Sequence, residues 1–220
     1  MKRFTLLFSA TLLFSIAAPI AAAPTNPSFE DDGGSLNGWT TAGQDGAWQT
    51  DQTVSATDGD YVARGQASVN EDAAESVSAT LSQSFDLPAG TQSFSVDMWR
   101  FKGEDNPGLA SFEVKLAASG ASDLVLWSDA VDSSVYSIGF TENLLSPARR
   151  FVVPRDDLTD LLGKTVTFSA YLEATPSGDF FTTSGLGVDN LVVTIPEPAT
   201  SALLGLGGIV CLSRRRPRAS

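Results

Sequence analysis

The stretch that decides the fold is Lys164–Glu173, KTVTFSAYLE. Apolar side chains fall at Val166, Phe168, Ala170 and Leu172, and Thr165, Thr167, Ser169, Tyr171 and Glu173 occupy the places between them. A period of two is the signature of a strand with one buried and one open face, because successive side chains leave a strand on opposite sides. The same reading extends outward. Gln92–Phe101 (QSFSVDMWRF) turns Phe94, Val96 and Met98 inward and leaves Asp97, Trp99 and Phe101 on the other face. Ala110–Ala117 (ASFEVKLA) buries Phe112, Val114 and Leu116 and presents Glu113 and Lys115.

Further strands are predicted at Asp60–Arg64, Val77–Leu87, Asp123–Trp127, Arg149–Val153 and Leu186–Ile195, in runs bounded by Gly, Pro, Asn and Asp. Leu87-Pro88-Ala89-Gly90 reads as a turn joining two of them. Arg155–Leu162 (RDDLTDLL), with acids in front and leucines at 158, 161 and 162, reads as one or two helical turns. Eight or more strands with no alternation of strand and helix imply an all-β antiparallel β-sandwich. It occupies residues 24–195, with no internal repeat and no dividing linker.

Composition removes whole classes of chemistry. The 220 residues contain no histidine and one cysteine. Ser-His-Asp and Cys-His nucleophiles, His-ligated metal and an intramolecular disulfide are therefore excluded. Residues 24–195 hold 25 of the 26 acids and 8 of the 14 bases, a net charge of −17. Such a surface repels nucleic acid, which needs concentrated Lys and Arg, and favours solubility and cation binding. An anionic polysaccharide would need a bridging divalent cation.

The two ends read as addresses. Lys2 and Arg3, then an apolar run Phe4–Ile16, then small residues, form a secretory signal over residues 1–22, with cleavage after Ala22. At the other end, residues 196–218 contain Pro196-Glu197-Pro198, an uncharged stretch Ala199–Ser213 and the basic cluster Arg214, Arg215, Arg216 and Arg218. Fifteen residues of helix reach only ~22 Å, a marginal span unless flanking residues stretch it. The arginines would stay cytoplasmic. Cys211, inside this stretch, reads as a small hydrophobe.

IPEPATSALLGLGGIVCLSRRRP resembles the PEP-CTERM sorting signal of Gram-negative bacteria, with its triplet, its Gly- and Leu-rich helix and its arginine run in order. The resemblance implies a partner, a membrane exosortase that cleaves near the triplet. It also implies a transient membrane anchor, followed by release to the cell surface or extracellular space, in bacteria that make extracellular polysaccharide.

The middle region resembles the galactose-binding-like jelly rolls of many carbohydrate-binding modules. Asn26-Pro27-Ser28-Phe29-Glu30 with Gly38-Trp39, Asp58-Gly59-Asp60-Tyr61-Val62 and the closing Gly187-Val188-Asp189-Asn190-Leu191-Val192-Val193 carry the likeness. It implies a jelly roll and one structural Ca²⁺ where the first and last strands meet, at Glu30 and Asp189; Asp58 and Asp60, in a Gly-containing turn, could add oxygens. The alternative is that Glu30 and Asp189 only cap strand ends and face solvent.

Should the three alternating strands share a sheet, one open face gathers Trp99, Tyr171, Asp97, Glu113, Lys115 and Glu173. Aromatics among hydrogen-bonding groups suit a sugar ring, which stacks and exchanges hydrogen bonds. The competing reading covers Trp99 and Tyr171 with loops. Trp39, Trp48 and Trp127 are expected in the core or as loop anchors. Asp97, Glu113 and Glu173 would also serve a carboxylate-based glycosidase, although no other catalytic motif supports one. The expected function is thus a non-catalytic, polysaccharide-binding surface or matrix protein. The alternatives are a purely structural, cation-binding matrix component and a glycoside-active enzyme.

Overall fold

The computed structural model describes residues 23–45, 47–52, 56–70, 73–101, 109–132, 149–176 and 182–196. The expected signal at 1–22, the apolar stretch 199–213 and all of the sorting tail after Pro196 lie outside these residues. Among the described residues, no helix is long and apolar enough to cross a membrane.

The described residues form ten strands: β1 (Thr40–Gly43), β2 (Trp48–Gln52), β3 (Tyr61–Val69), β4 (Val77–Leu87), β5 (Ser93–Phe101), β6 (Leu109–Ala117), β7 (Leu124–Asp132), β8 (Arg149–Pro154), β9 (Lys164–Thr175) and β10 (Thr182–Thr194). They form two five-stranded sheets, β1-β4-β9-β6-β7 and β2-β3-β10-β5-β8. Every pairing is antiparallel. From β3 to β10, each strand passes to the opposite sheet except at the β6–β7 hairpin. The Leu87–Gly90 turn is one of these crossings. Pro88 cannot continue a ladder, and the Pro88 carbonyl accepts the Thr91 N–H to close the turn.

The inward faces meet as the alternation requires. Val166, Phe168, Ala170 and Leu172 of β9, Phe94, Val96 and Met98 of β5, and Val114 and Leu116 of β6 are all fully buried, with Phe112 at 2% exposure. Phe94 lies 6.3 Å from Phe168, and Trp39 meets Phe168 edge-on at 5.9 Å between centroids. Trp39 and Trp48 are core residues and Trp127 packs against the core, as expected of anchors. Arg155–Leu158 forms a short 3₁₀ turn that inserts Leu158, followed by Leu161, into the base of the core.

Two strands are absent from the sequence reading. β1 (TTAG) is exposed along its whole length and β2 (WQTDQ) buries only Trp48, so neither shows an apolar alternation. β3 continues five residues past Arg64 because Gly65 and Ala67 face the core in the pattern a half-buried strand needs, with side chains too small to signal it.

Candidate functional site: the hydroxyl-rich face around Tyr171

β9 is the middle strand of its sheet, so its outward residues sit at the centre of an open face. Tyr171 is in register with Thr80 of β4 on one side and Glu113 of β6 on the other. Around it the period of two sets out a field of hydroxyls. Ser84 pairs with Thr167 at 2.8 Å, Ser76 with Thr175 at 3.0 Å, and Thr165 donates to Asp86 at 2.6 Å.

The charged members of this face are held in place. Lys115 Nζ lies 3.2 Å from Glu113 and 2.9 Å from Asp123, and both carboxylates raise its pKa above the ordinary lysine value. The Tyr171 hydroxyl donates to Glu173 Oε2 at 3.1 Å. Partial burial and then the Glu173 carboxylate push the phenol up, so it stays protonated and can donate. A phenol ring, the carboxylates of Asp86, Glu113, Asp123 and Glu173, an ammonium and several hydroxyls thus share one surface. These groups can stack on a sugar ring and exchange hydrogen bonds with its hydroxyls.

Asp97 and Trp99 are not part of it. The expectation that six residues share one face is corrected here: Tyr171, Glu173, Glu113 and Lys115 do, but β5 belongs to the opposite sheet. The outward facing of Asp97 and Trp99 was right; the sheet was not, because periodicity carries no information about which strands pair. Both are also covered. Trp99 is 4% exposed and packs on Val62 and Ala56, lying against Gly187 of β10. Asp97 is 3% exposed and receives two hydrogen bonds from Arg150, at 2.8 and 2.9 Å, and one from Asn190 at 3.0 Å. Asp97 therefore forms no carboxylate pair with Glu113 or Glu173. Those two remain on one face: Glu113 stands opposite Tyr171, and Glu173 is two residues further along β9.

Glu30 and Asp189 meet, at a second place, the turn that carries Asp58. The Leu191 N–H donates to the Pro27 carbonyl at 3.1 Å, which brings the first segment against the last strand. The two carboxylates then grip one turn from both ends. Asp189 Oδ2 accepts Thr57 N–H at 2.7 Å, Thr57 Oγ1–H at 3.0 Å and Asp58 N–H at 3.1 Å. Glu30 Oε1 accepts Asp60 N–H at 2.8 Å and Tyr61 N–H at 2.6 Å. Gly59, between them, has φ +78° and lies so close to Glu30 that a Cβ would collide with its carboxylate.

Asp189 is fully buried, and burial pushes its carboxyl up to about 6 against the pull of the Thr57, Asp58 and Asn190 hydrogen bonds. Among the described residues, no group of three or more acidic or cysteine side chains is placed to hold a metal ion. A cation at this turn would draw its remaining ligands from backbone carbonyls. Thr57, Arg150 and Asn190 were missed in the sequence. Asn190 stands in the closing-strand motif, and in the structure it sits at the β10 bulge with φ +52°.

The fold and its tail define a two-sheet β-sandwich protein carrying a sorting signal. Residues 194–217 match the family model of the PEP-CTERM protein-sorting motif. The sandwich is similar to TmCBM61, solved in complex with β-1,4-galactotriose, at 18% identity over 77% of this chain and 95% of that one, with a TM-score of 0.48. It is also similar to the non-crystalline cellulose specific carbohydrate-binding module CBM28, at 14% identity over 78% and 95%, with a TM-score of 0.44. CBM27-1 of Caldicellulosiruptor saccharolyticus, in complex with mannohexaose, is 14% identical over 75% and 93%, with a TM-score of 0.43. No curated protein matches the chain. At these identities the likeness is one of fold alone.

Proposed function

We propose that residues 24–195 form a non-catalytic, polysaccharide-binding jelly roll, delivered to the cell surface or surrounding matrix by an exosortase. The sorting motif at 194–217 supports the delivery, together with the signal-like residues 1–22. The strand order β3-β10-β5-β8 against β4-β9-β6-β7 supports the jelly-roll reading.

One observation carries the binding function: Tyr171 stands at the centre of an open sheet face, with Glu113 and Glu173 beside it and serine and threonine hydroxyls along β4 and β9. A neutral glycan meets there an aromatic surface and both donors and acceptors. Repulsion within a domain of −17 disfavours acidic glycans. Binding is favoured over hydrolysis because both carboxylates are engaged, Glu113 by Lys115 and Glu173 by Tyr171. Loss of glycan binding in Tyr171→Ala, with melting unchanged, is the test.

A second reading concerns the turn at 57–61. Glu30 and Asp189 converge on it, burial raises the Asp189 carboxyl, and hard oxygens are what Ca²⁺ takes. Glu30, Asp189 and Asp58 would hold such an ion with backbone carbonyls, and the ion would fasten the first segment to the last strand. With this site and without a glycan on the Tyr171 face, the protein would be a structural cation-binding matrix component.

A further inference from the structure

The opposite sheet carries a pocket of its own. On the outward side of the β2–β3 hairpin, Gln44, Asp45 and Ala47 border an open depression of about 270 Å³. Its lining is polar: Asp45, Gln49, Arg64, Gln66 and Ser68, with Gln44 and Ala47 completing the wall. Among the described residues no aromatic side chain lines it, in contrast to the Tyr171 face.

The walls are fixed by hydrogen bonds. The Gln44 carboxamide holds both backbone groups of Ser68, donating to its carbonyl at 3.1 Å and accepting its N–H at 2.9 Å. The Gln66 N–H donates to the Ala47 carbonyl at 2.7 Å, which ties the bordering segment to β3. Gln66 Nε2 donates to Ser68 Oγ at 3.2 Å, and Arg64 Nη1 pairs with Asp51 at 3.1 Å. Gln49 stands opposite Arg64 across the hairpin. A ligand therefore meets Gln44, Arg64 and Gln66 already held in position, and fewer rotamers are frozen there on binding.

We infer that this pocket binds one neutral sugar residue, an aldohexose at a chain end or free in solution. Carboxamides, a guanidinium, a hydroxyl and a carboxylate offer donors and acceptors together, which is what a ring of hydroxyls requires and an apolar ligand does not. The volume is just under the ~300 Å³ where pockets for drug-sized ligands begin, so the occupant is small. Asp51 offsets the charge of Arg64 and Asp45 adds a negative one, so a carboxylate on the sugar is disfavoured. This site goes beyond the Tyr171 face and stands on other residues, so the two can fail separately.

The test is calorimetric titration of the full-length chain with galactose, glucose, mannose and glucuronate, using the native sequence and Gln49→Ala, Gln66→Ala and Tyr171→Ala. At least one neutral hexose binds in the millimolar range, and glucuronate binds at least tenfold more weakly. Gln49→Ala and Gln66→Ala each weaken the neutral sugar about tenfold, whereas Tyr171→Ala leaves this binding unchanged. Melting temperatures of the two glutamine variants stay at the native value. The inference is overturned when none of the four sugars binds, when glucuronate binds best, or when monosaccharide binding survives both glutamine substitutions or disappears with Tyr171→Ala.

Discussion

Arg150 reaches across from β8 and closes a two-point hydrogen bond on Asp97 of β5, Nε to Oδ1 at 2.9 Å and Nη2 to Oδ2 at 2.8 Å. The two residues are in register in the sheet, and Asn190 of β10 donates to the same carboxylate from the other side. Burial alone would raise the Asp97 carboxyl. The hydrogen bonds from Arg150, Thr57 and Asn190, with the Arg150 charge, outweigh it and hold the carboxyl below its ordinary value. A carboxylate bonded in this way is a structural strut.

Arg150→Ala should destabilise the fold at pH 7, because Asp97 stays buried and loses its strongest partner. Half of the Arg150 side chain is open to water, so screening keeps the loss nearer ~1 than ~3 kcal/mol. The sign with pH follows from the depressed carboxyl. Its contribution is present above the unfolded value of ~3.9 and is lost as pH falls through the lower folded value. Urea midpoints should therefore separate native and variant proteins at pH 7 and draw together below about pH 4. A gap that does not narrow in acid contradicts this.

Gly187→Ala should cost about 1–3 kcal/mol by overpacking. Gly187 of β10 lies beneath the Trp99 ring, and a Cβ built there would overlap the indole. A glycine inside a strand commonly marks such a close approach. Trp99 fluorescence and the denaturation midpoint should shift together; an unchanged midpoint would show that the ring is free to move.

Ca²⁺ should raise the melting temperature relative to chelator, by about 3–5 °C when the ion is tenfold above its dissociation constant. Extracellular modules bind at ~10⁻⁴–10⁻³ M, so millimolar ion is the relevant range. Glu30→Gln and Asp189→Asn should remove the response. Identical melting in chelator and in Ca²⁺ rules the ion out, and a response surviving both substitutions puts it elsewhere on the acidic surface.

The tail should be absent from the exported protein. Residues 194–217 match the sorting motif, and processing near Pro196-Glu197-Pro198 removes Arg214, Arg215 and Arg216. Intact-mass analysis of protein released from cells containing an exosortase reads this directly. A released form that keeps Arg218 contradicts it.

The inward faces of β5, β6 and β9 were legible because their apolar residues alternate without a break and all lie in the core. What alternation cannot convey is sheet membership. Asp97 and Tyr171 look alike as outward residues of aromatic-bearing strands, yet β5 and β9 are in different sheets. The Glu30–Asp189 convergence was legible in part, from the two ends of the domain. Its donors were not, because most are backbone amides of Thr57, Asp58, Asp60 and Tyr61, which every residue but proline possesses. The pocket beside Arg64 left no trace, since its glutamines read as surface and β2 itself was not recognised.

The central claim is that the face around Tyr171 binds a polysaccharide. A glycan array probed with the native chain and with Tyr171→Ala tests it most directly, with melting temperature as the control for folding. The account predicts that the native chain retains one or more neutral glycans and that Tyr171→Ala weakens them about tenfold, the ~1.4 kcal/mol at the upper end of what an aromatic contact adds. Retention of the same glycans by a well-folded Tyr171→Ala protein, or binding of none by the native chain, would contradict it.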